Sequence, residues 1–261
     1  MTTLQSSYKT FFGLAAGLVV LLALAVATLD PLGWIRQYSK GGSGTPTIFY
    51  LSEDPLVVYL KDFVTPQEAA HLVSLAKSEP RFAPSILWDD QGKPHMDKAY
   101  RSSTTAKLPR GDSVVRRIEN RARSMPFYKA VGDFQPMVVQ NYGVAGQYRD
   151  HYDWYDDAHA VGGNVASTFF VYIHANCTGG GTNFPRLTPP AEDDGTWCEF
   201  IDCDRPLEDG VTFRPVPGNA VYWENLKLRG DGEGHAKTLH SGMPVTSGNK
   251  MGLNMWTWKD A

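Results

Sequence analysis

His151 and Asp153 stand two residues apart at the end of the stretch Gln140-Asn141-Tyr142-Gly143-Val144-Ala145-Gly146-Gln147-Tyr148-Arg149-Asp150-His151-Tyr152-Asp153. On extended backbone, positions i and i+2 project from the same face, so this imidazole and carboxylate can hold one cation from one side. A second histidine from a distant strand would complete a two-histidine, one-carboxylate face. That donor set suits non-haem Fe(II) and leaves positions open for substrate and dioxygen. The spacing alone is not selective: the chain has seven histidines, and His95-Met96-Asp97 repeats the pattern. The second copy lies among Gln91, Gly92, Lys93, Pro94 and Lys98 and is expected to be a surface loop. The His151 copy follows the apolar run Met137-Val138-Val139 and a glycine-punctuated turn, the setting of a strand.

The third ligand must come from elsewhere. His71 falls in a helical stretch, and His159 and His174 are too close to the first pair to lie on an opposing strand without a tight return. His235 sits in a glycine-rich turn, whereas His240 ends a short extended run before Gly242 and Pro244. A lone histidine is ordinarily a packing residue, and Lys250 is what changes that reading for His240. Lys250 is expected to begin a strand of apolar and aromatic character, with Met251, Leu253, Met255, Trp256 and Trp258. An ammonium at the mouth of such a strand either snorkels outward or meets a buried anion, because unpaired burial is very costly. A 2-oxo acid is such an anion, and by chelating the metal and decarboxylating it supplies the two electrons an iron oxygenase needs. Zinc on the same ligands is the alternative, but it leaves Lys250 without a role.

The elements that must position these residues are legible in outline. Thr65-Pro66-Gln67-Glu68 predicts a helix start, with Thr65 as cap, Pro66 in the first turn and Glu68 closing a capping box. Ala69, Leu72, Val73 and Ala76 form its apolar face, and Pro80 ends it. Asp112 or Ser113 caps a second helix in which Val114, Val115, Ile118 and Ala122 share a face. A short strand is expected at 56–60. Beyond Phe134 the pattern turns to β, with strands expected at 137–142, 167–174, 219–224, 238–241 and 251–258. Helices first and short strands after predict an α+β fold.

A net charge of -3 and the absence of any basic stripe interleaved with aromatics exclude a nucleic-acid partner. Residues 11–29 carry no charge and would rise about 28 Å as a helix, close to the thickness of a bilayer core. The expected organisation is therefore a membrane anchor at 1–30, a flexible Gly/Ser-rich linker at 31–50 and a folded domain at 51–261. Ala23-Leu24-Ala25 and Ala25-Val26-Ala27 have the pattern of a signal cleavage site, the alternative to an uncleaved anchor. Cys177, Cys198 and Cys203 lack the paired CxxC steps of a structural zinc site, and their pairing is left open.

One ordered set of motifs runs through the chain: Tyr142, His151-Tyr152-Asp153, Gly180-Gly181-Thr182-Asn183-Phe184-Pro185, Pro217-Gly218-Asn219-Ala220-Val221, His240-Ser241-Gly242-Met243-Pro244-Val245 and Gly248-Asn249-Lys250. This set resembles the catalytic domain of prolyl 4-hydroxylases, Fe(II)- and 2-oxoglutarate-dependent dioxygenases. The helix at 66–77 and Tyr100-Arg101-Ser102-Ser103 share the likeness, which covers 56–259. The resemblance implies a double-stranded β-helix (jelly-roll) core braced by N-terminal helices, after a single transmembrane helix. It implies that His151, Asp153 and His240 bind Fe(II), with no catalytic side chain beyond these ligands. Lys250 would pair with the distal carboxylate of 2-oxoglutarate, and Tyr142 and Thr182 would hydrogen-bond to it. L-ascorbate would rescue over-oxidised iron, dioxygen would be the co-reactant, and the substrate would be a protein or peptide hydroxylated at proline. The apolar N-terminus is similar to that of endoplasmic-reticulum members, implying a single-pass type II membrane protein with a luminal catalytic domain. Oligomeric state is not implied. The chain departs from the family at Asn164, where an arginine is usual, and at Trp258, where a histidine is usual. Both positions concern substrate or cosubstrate handling, so the alternatives are a non-proline substrate or a tethered binding module without turnover.

Overall fold

In the computed structural model, which describes residues 38–39, 45–78, 82–89, 93–190, 195–227 and 232–261, two β-sheets enclose the site and two helices cover the outside of the larger sheet. Strands of three or more residues are numbered in chain order. They are β1 (Thr47–Glu53), β2 (Leu56–Lys61), β3 (Thr104–Lys107), β4 (Val138–Tyr142), β5 (Tyr148–His151) and β6 (Gly163–Gly179). There follow β7 (Thr182–Phe184), β8 (Val211–Phe213), β9 (Ala220–Glu224), β10 (His240–Gly242) and β11 (Val245–Asp260). The large sheet has the order β1-β2-β9-β6-β11-β4-β3, with two-residue strands at its edges, and the small sheet has the order β5-β10-β7-β8. Neighbours pair antiparallel in both.

The helices form where their caps dictate. Thr65 accepts from the Glu68 N–H while the Glu68 carboxylate accepts from the Thr65 N–H, starting α1 (Pro66–Lys77). Asp112 accepts from the N–H groups of Val114 and Val115, starting α2 (Ser113–Arg123). A two-pronged Arg121–Glu68 pair, at 2.8 and 2.9 Å, ties the two helices together. Their buried residues Leu72, Ala76, Val115 and Ile118 join the outward residues Phe169, Val171, Leu253 and Met255 of the large sheet in one core. The opposite face sends Phe170, Tyr172 and Trp223 against Phe184 and Phe213 of the small sheet in a second. β6 is therefore buried on both faces, which is why it reads as a run and not as alternation. Each such fully buried large side chain contributes about 1.5–3 kcal/mol relative to exposure.

Several elements differ from expectation. β6 and β11 both extend well beyond their apolar cores, because Asn176 to Gly179 pairs with Val245 to Asn249 in a polar ribbon that no hydrophobic pattern marks. Lys250 consequently stands inside β11, opposite Tyr142 on β4 and Ala175 on β6, not at the strand's mouth. The extended run expected at 238–241 is split into a 3-10 turn, Ala236–Thr238, and β10. β1 begins at Thr47, ahead of the expected domain start. Cys198 and Cys203 form a disulfide, and Cys177 is a free thiol.

The location expected from the N-terminus is corrected. Among the described residues no helix is long and apolar enough to cross a membrane; α1, the longest, has 12 residues and rises about 18 Å against a hydrocarbon core of about 30 Å. The segment 11–29, on which a transmembrane helix and a single-pass type II location in the endoplasmic reticulum were expected, lies outside the described residues.

Candidate metal centre and cosubstrate pocket

Antiparallel pairing in the small sheet sets His151 directly opposite His240. Each ring is fixed through Nδ1: that of His151 lies 2.8 Å from the Arg149 carbonyl oxygen, and that of His240 lies 2.9 Å from the Thr238 carbonyl oxygen. A carbonyl only accepts, so both Nδ1 atoms carry a proton, and it is Nε2 of each ring that faces the cavity as the ligand atom. The chain turns after His151 and returns Asp153 to the same place. Nε2 of His151 is 3.8 Å from Asp153 Oδ1, and Nε2 of His240 is 3.9 Å from Asp153 Oδ2. One ligand atom from each of the three lies within 4.8 Å of the others.

The surroundings hold both rings in place and keep His151 uncharged. Burial, reinforced by the neighbouring His240, pushes the His151 pKa well below the usual histidine value. A metal needs that uncharged form. Tyr148 stacks on the His151 ring at a centroid distance of 3.5 Å, and the Arg101 guanidinium lies over Tyr148. His240 lies between Phe184 and Trp223. Two imidazoles with backbone-anchored Nδ1–H groups and one carboxylate on the same side fit a facial Fe(II) site.

Lys250 comes to the same cavity from the large sheet. It is 1% exposed, its Nζ donates to the Gly180 carbonyl, and the ammonium lies 4.9 Å from the centre of the Tyr142 ring. Burial draws its pKa down to about 8, opposed by the nearby Cys177. Among the described residues no carboxylate pairs with it, so the cavity presents a buried ammonium without a counter-ion. The Tyr142 hydroxyl donates to Gln140 Oε1 at 2.7 Å, and Thr182 Oγ1 accepts from the Tyr172 hydroxyl at 2.8 Å. His151, Asp153, His240, Lys250, Tyr142 and Thr182 thus line a single cavity, which the structure brings together from five segments of chain. Gln140, Phe170, Trp223 and Asn254 also line it and escaped sequence reasoning. Asn254 had a signal: by strand alternation it shares a face with Lys250. Gly252 between them has no side chain because Phe170 occupies the space; a Cβ there would lie 2.2 Å from the ring.

A groove of about 670 Å³ opens beside the cavity and shares Tyr148 and Asp153 with it. Its walls include Tyr152, Tyr155, Trp256 and Trp258, with Pro84 and Pro136. Trp258 is thus a groove wall, whereas Asn164 is committed elsewhere. Its buried amide bonds the backbone N–H and carbonyl of Tyr155, both at 2.9 Å, and so pins the segment that follows Asp153. The other His-x-Asp copy is exposed: His95 ends a two-residue strand, and Asp97 accepts from the Ala99 and Tyr100 N–H groups. His71 pairs with Asp112, and His235 pairs with Asp54.

Residues 137–258 match the model of the 2OG-Fe(II) oxygenase superfamily. The chain is 30% identical over 218 residues to prolyl 4-hydroxylase 5 of Arabidopsis thaliana, covering 82% of this chain and 72% of that protein. It is 30% identical to the prolyl 4-hydroxylase subunit alpha-1 of Gallus gallus, covering 78% of this chain and 36% of that one. Among solved structures, the viral collagen prolyl hydroxylase of Paramecium Bursaria Chlorella virus-1, in its 2OG complex, superposes with a TM-score of 0.57. That match has 21% identity and covers 78% of this chain and 96% of the viral one, so the jelly-roll fold is shared. The chain belongs to the prolyl 4-hydroxylase family of 2OG-Fe(II) oxygenases, dioxygenases that use Fe(II), 2-oxoglutarate and ascorbate.

Proposed function

We propose that this enzyme hydroxylates a peptide or protein substrate, at proline, using a site made of His151, Asp153, His240 and Lys250. The observation that carries the reading is one cavity holding both a metal-ligand cluster and a buried ammonium that pairs with no carboxylate among the described residues. His151 and His240 bind Fe(II) through Nε2, and Asp153 binds through its carboxylate. Lys250 pairs with the distal carboxylate of 2-oxoglutarate, while Tyr142, whose phenol burial keeps protonated, and Thr182 hydrogen-bond to it. The chemistry supplied with Fe(II) bound is oxidative decarboxylation of 2-oxoglutarate, one dioxygen oxygen going into succinate and the other into a substrate C–H bond. Phe170, Phe184 and Trp223, all nearly or fully buried, keep bulk water from the site. The peptide lies in the adjacent groove, where Tyr152, Tyr155 and Trp258 offer flat apolar faces to pyrrolidine rings. The oxygenase domain is assigned to 51–261, with β1 adding its first residues from Thr47.

The test is mass spectrometry of a proline-rich peptide incubated with the protein, Fe(II), 2-oxoglutarate and ascorbate. A gain of one oxygen located on proline is expected; oxygen found only on other residues would retire the proline assignment. A non-proline residue is the second reading, favoured by the indole of Trp258 where relatives of this kind are expected to carry a histidine.

A further inference from the structure

Asp153 is held by more than its place in the chain. Its Oδ2 accepts two hydrogen bonds, from Thr168 Oγ1 at 2.8 Å and from Trp256 Nε1 at 3.1 Å. Thr168 on β6 and Trp256 on β11 are directly opposed in the sheet, and Trp223 on β9 is the partner of Thr168 on its other side. One row across three strands therefore converges on one carboxylate oxygen. Hydrogen-bond logic fixes the direction of every proton in that row. An indole N–H only donates, so Trp223 Nε1, 2.9 Å from Asn225, must face the amide oxygen. The Asn225 amide nitrogen then donates to Thr168 Oγ1 at 2.8 Å. The single hydroxyl proton of Thr168 is left for Asp153. Thr168 and Asn225 are fully buried, so no water competes.

We infer that Thr168 and Trp256 are positioning residues that saturate Asp153 Oδ2 and leave Oδ1 as the only metal-binding oxygen, keeping the carboxylate monodentate and one coordination position open. The inference rests on the proposed metal site. A carboxylate oxygen has two lone pairs in its plane, and both on Oδ2 are engaged. Without either donor, the carboxylate is free to turn and bind the metal through both oxygens. That would occupy the position needed by 2-oxoglutarate or dioxygen. The Trp256 ring also lines the groove, so the residue that orients the metal ligand touches the space proposed for substrate.

The test is a titration of the full chain with Co(II) alone, followed by its visible absorption, which reports coordination number. Wild type, Trp256→Phe, Thr168→Val and Thr168→Ser are compared. Trp256→Phe keeps an aromatic ring and removes the N–H. Thr168→Val keeps the shape and removes the hydroxyl, and Thr168→Ser keeps the hydroxyl. The inference expects Trp256→Phe and Thr168→Val each to weaken Co(II) binding about tenfold or more and to alter the spectrum. Thr168→Ser should retain the wild-type spectrum and most of the affinity. If wild type binds Co(II) and both N–H and hydroxyl deletions leave affinity and spectrum unchanged, the inference is wrong. It is equally wrong if Thr168→Ser behaves as Thr168→Val does, since packing alone would then explain the loss. If wild type does not bind Co(II), the metal site fails and takes the inference with it.

Discussion

Lys250 makes a prediction that depends on pH in a way a surface lysine would not. Burial lowers its pKa to about 8 when no anion is bound. The distal carboxylate of 2-oxoglutarate is ionised throughout the neutral range, so binding needs the protonated lysine, and bound cosubstrate raises the lysine's pKa in return. At pH 7 the fraction protonated is about ten elevenths, and at pH 9 it is about one eleventh. The dissociation constant for 2-oxoglutarate should therefore rise about tenfold between pH 7 and pH 9, equivalent to about 1.4 kcal/mol. The assay is quenching of tryptophan fluorescence by 2-oxoglutarate in Co(II)-loaded protein under nitrogen, at half-unit pH steps. Lys250→Arg supplies the control, because guanidinium stays charged over this range. It should bind more weakly at pH 7, since the cavity is shaped for lysine, yet lose the tenfold pH dependence. A wild-type affinity that does not change from pH 7 to pH 9 would refute the reasoning. So would Lys250→Arg falling in parallel with wild type, which would place the titrating group elsewhere.

The remaining predictions concern the choice of ligands and the helices behind them. His240→Ala should abolish succinate formation whereas His95→Ala leaves it near normal; equal losses would mean that the wrong His-x-Asp copy was chosen. Burial alone would raise the Glu68 pKa, but the Arg121 guanidinium and the Thr65 N–H outweigh it and bring it down to about 2. This stabilisation is complete above about pH 4.5 and is lost as pH falls towards 2. It amounts to about 2 kcal/mol after allowing for solvent screening. Urea midpoints at pH 6 and pH 3 should diverge less in Glu68→Gln than in wild type. Thr65→Ala removes the other half of the capping box and should cost about 1 kcal/mol in the same measurement.

How far the site could be read in advance depended on the kind of interaction each residue makes. His151 and Asp153 were legible because i, i+2 geometry is local, and the rival pair at His95 and Asp97 could be set aside by its polar neighbours. Lys250 stood out for a different reason, the cost of burying charge, and the structure buries it inside β11 rather than at the strand's mouth. Thr168 and Trp256 were not legible. Each is an ordinary strand residue, and their meeting at Asp153 depends on the register between β6 and β11. That register shifts between Val165 and Ser167 and again between Tyr172 and His174, and irregularities of this kind leave no periodic trace. The first helix start was legible to the residue and the second to within one, Asp112 or Ser113, since a cap acts on the N–H groups two or three positions ahead. The short strands β5, β7 and β8 were missed because three or four residues are too few to show a period.

The central claim is that His151, Asp153 and His240 with Lys250 form one working oxygenase site. Its most direct test is succinate formation by the purified full chain given Fe(II), 2-oxoglutarate, ascorbate and air, without and with a proline-rich peptide. The account predicts succinate from the wild type, more of it when peptide is present, and none from Asp153→Ala. A wild type that forms no succinate under any of these conditions, or an Asp153→Ala variant that forms as much as wild type, would contradict it.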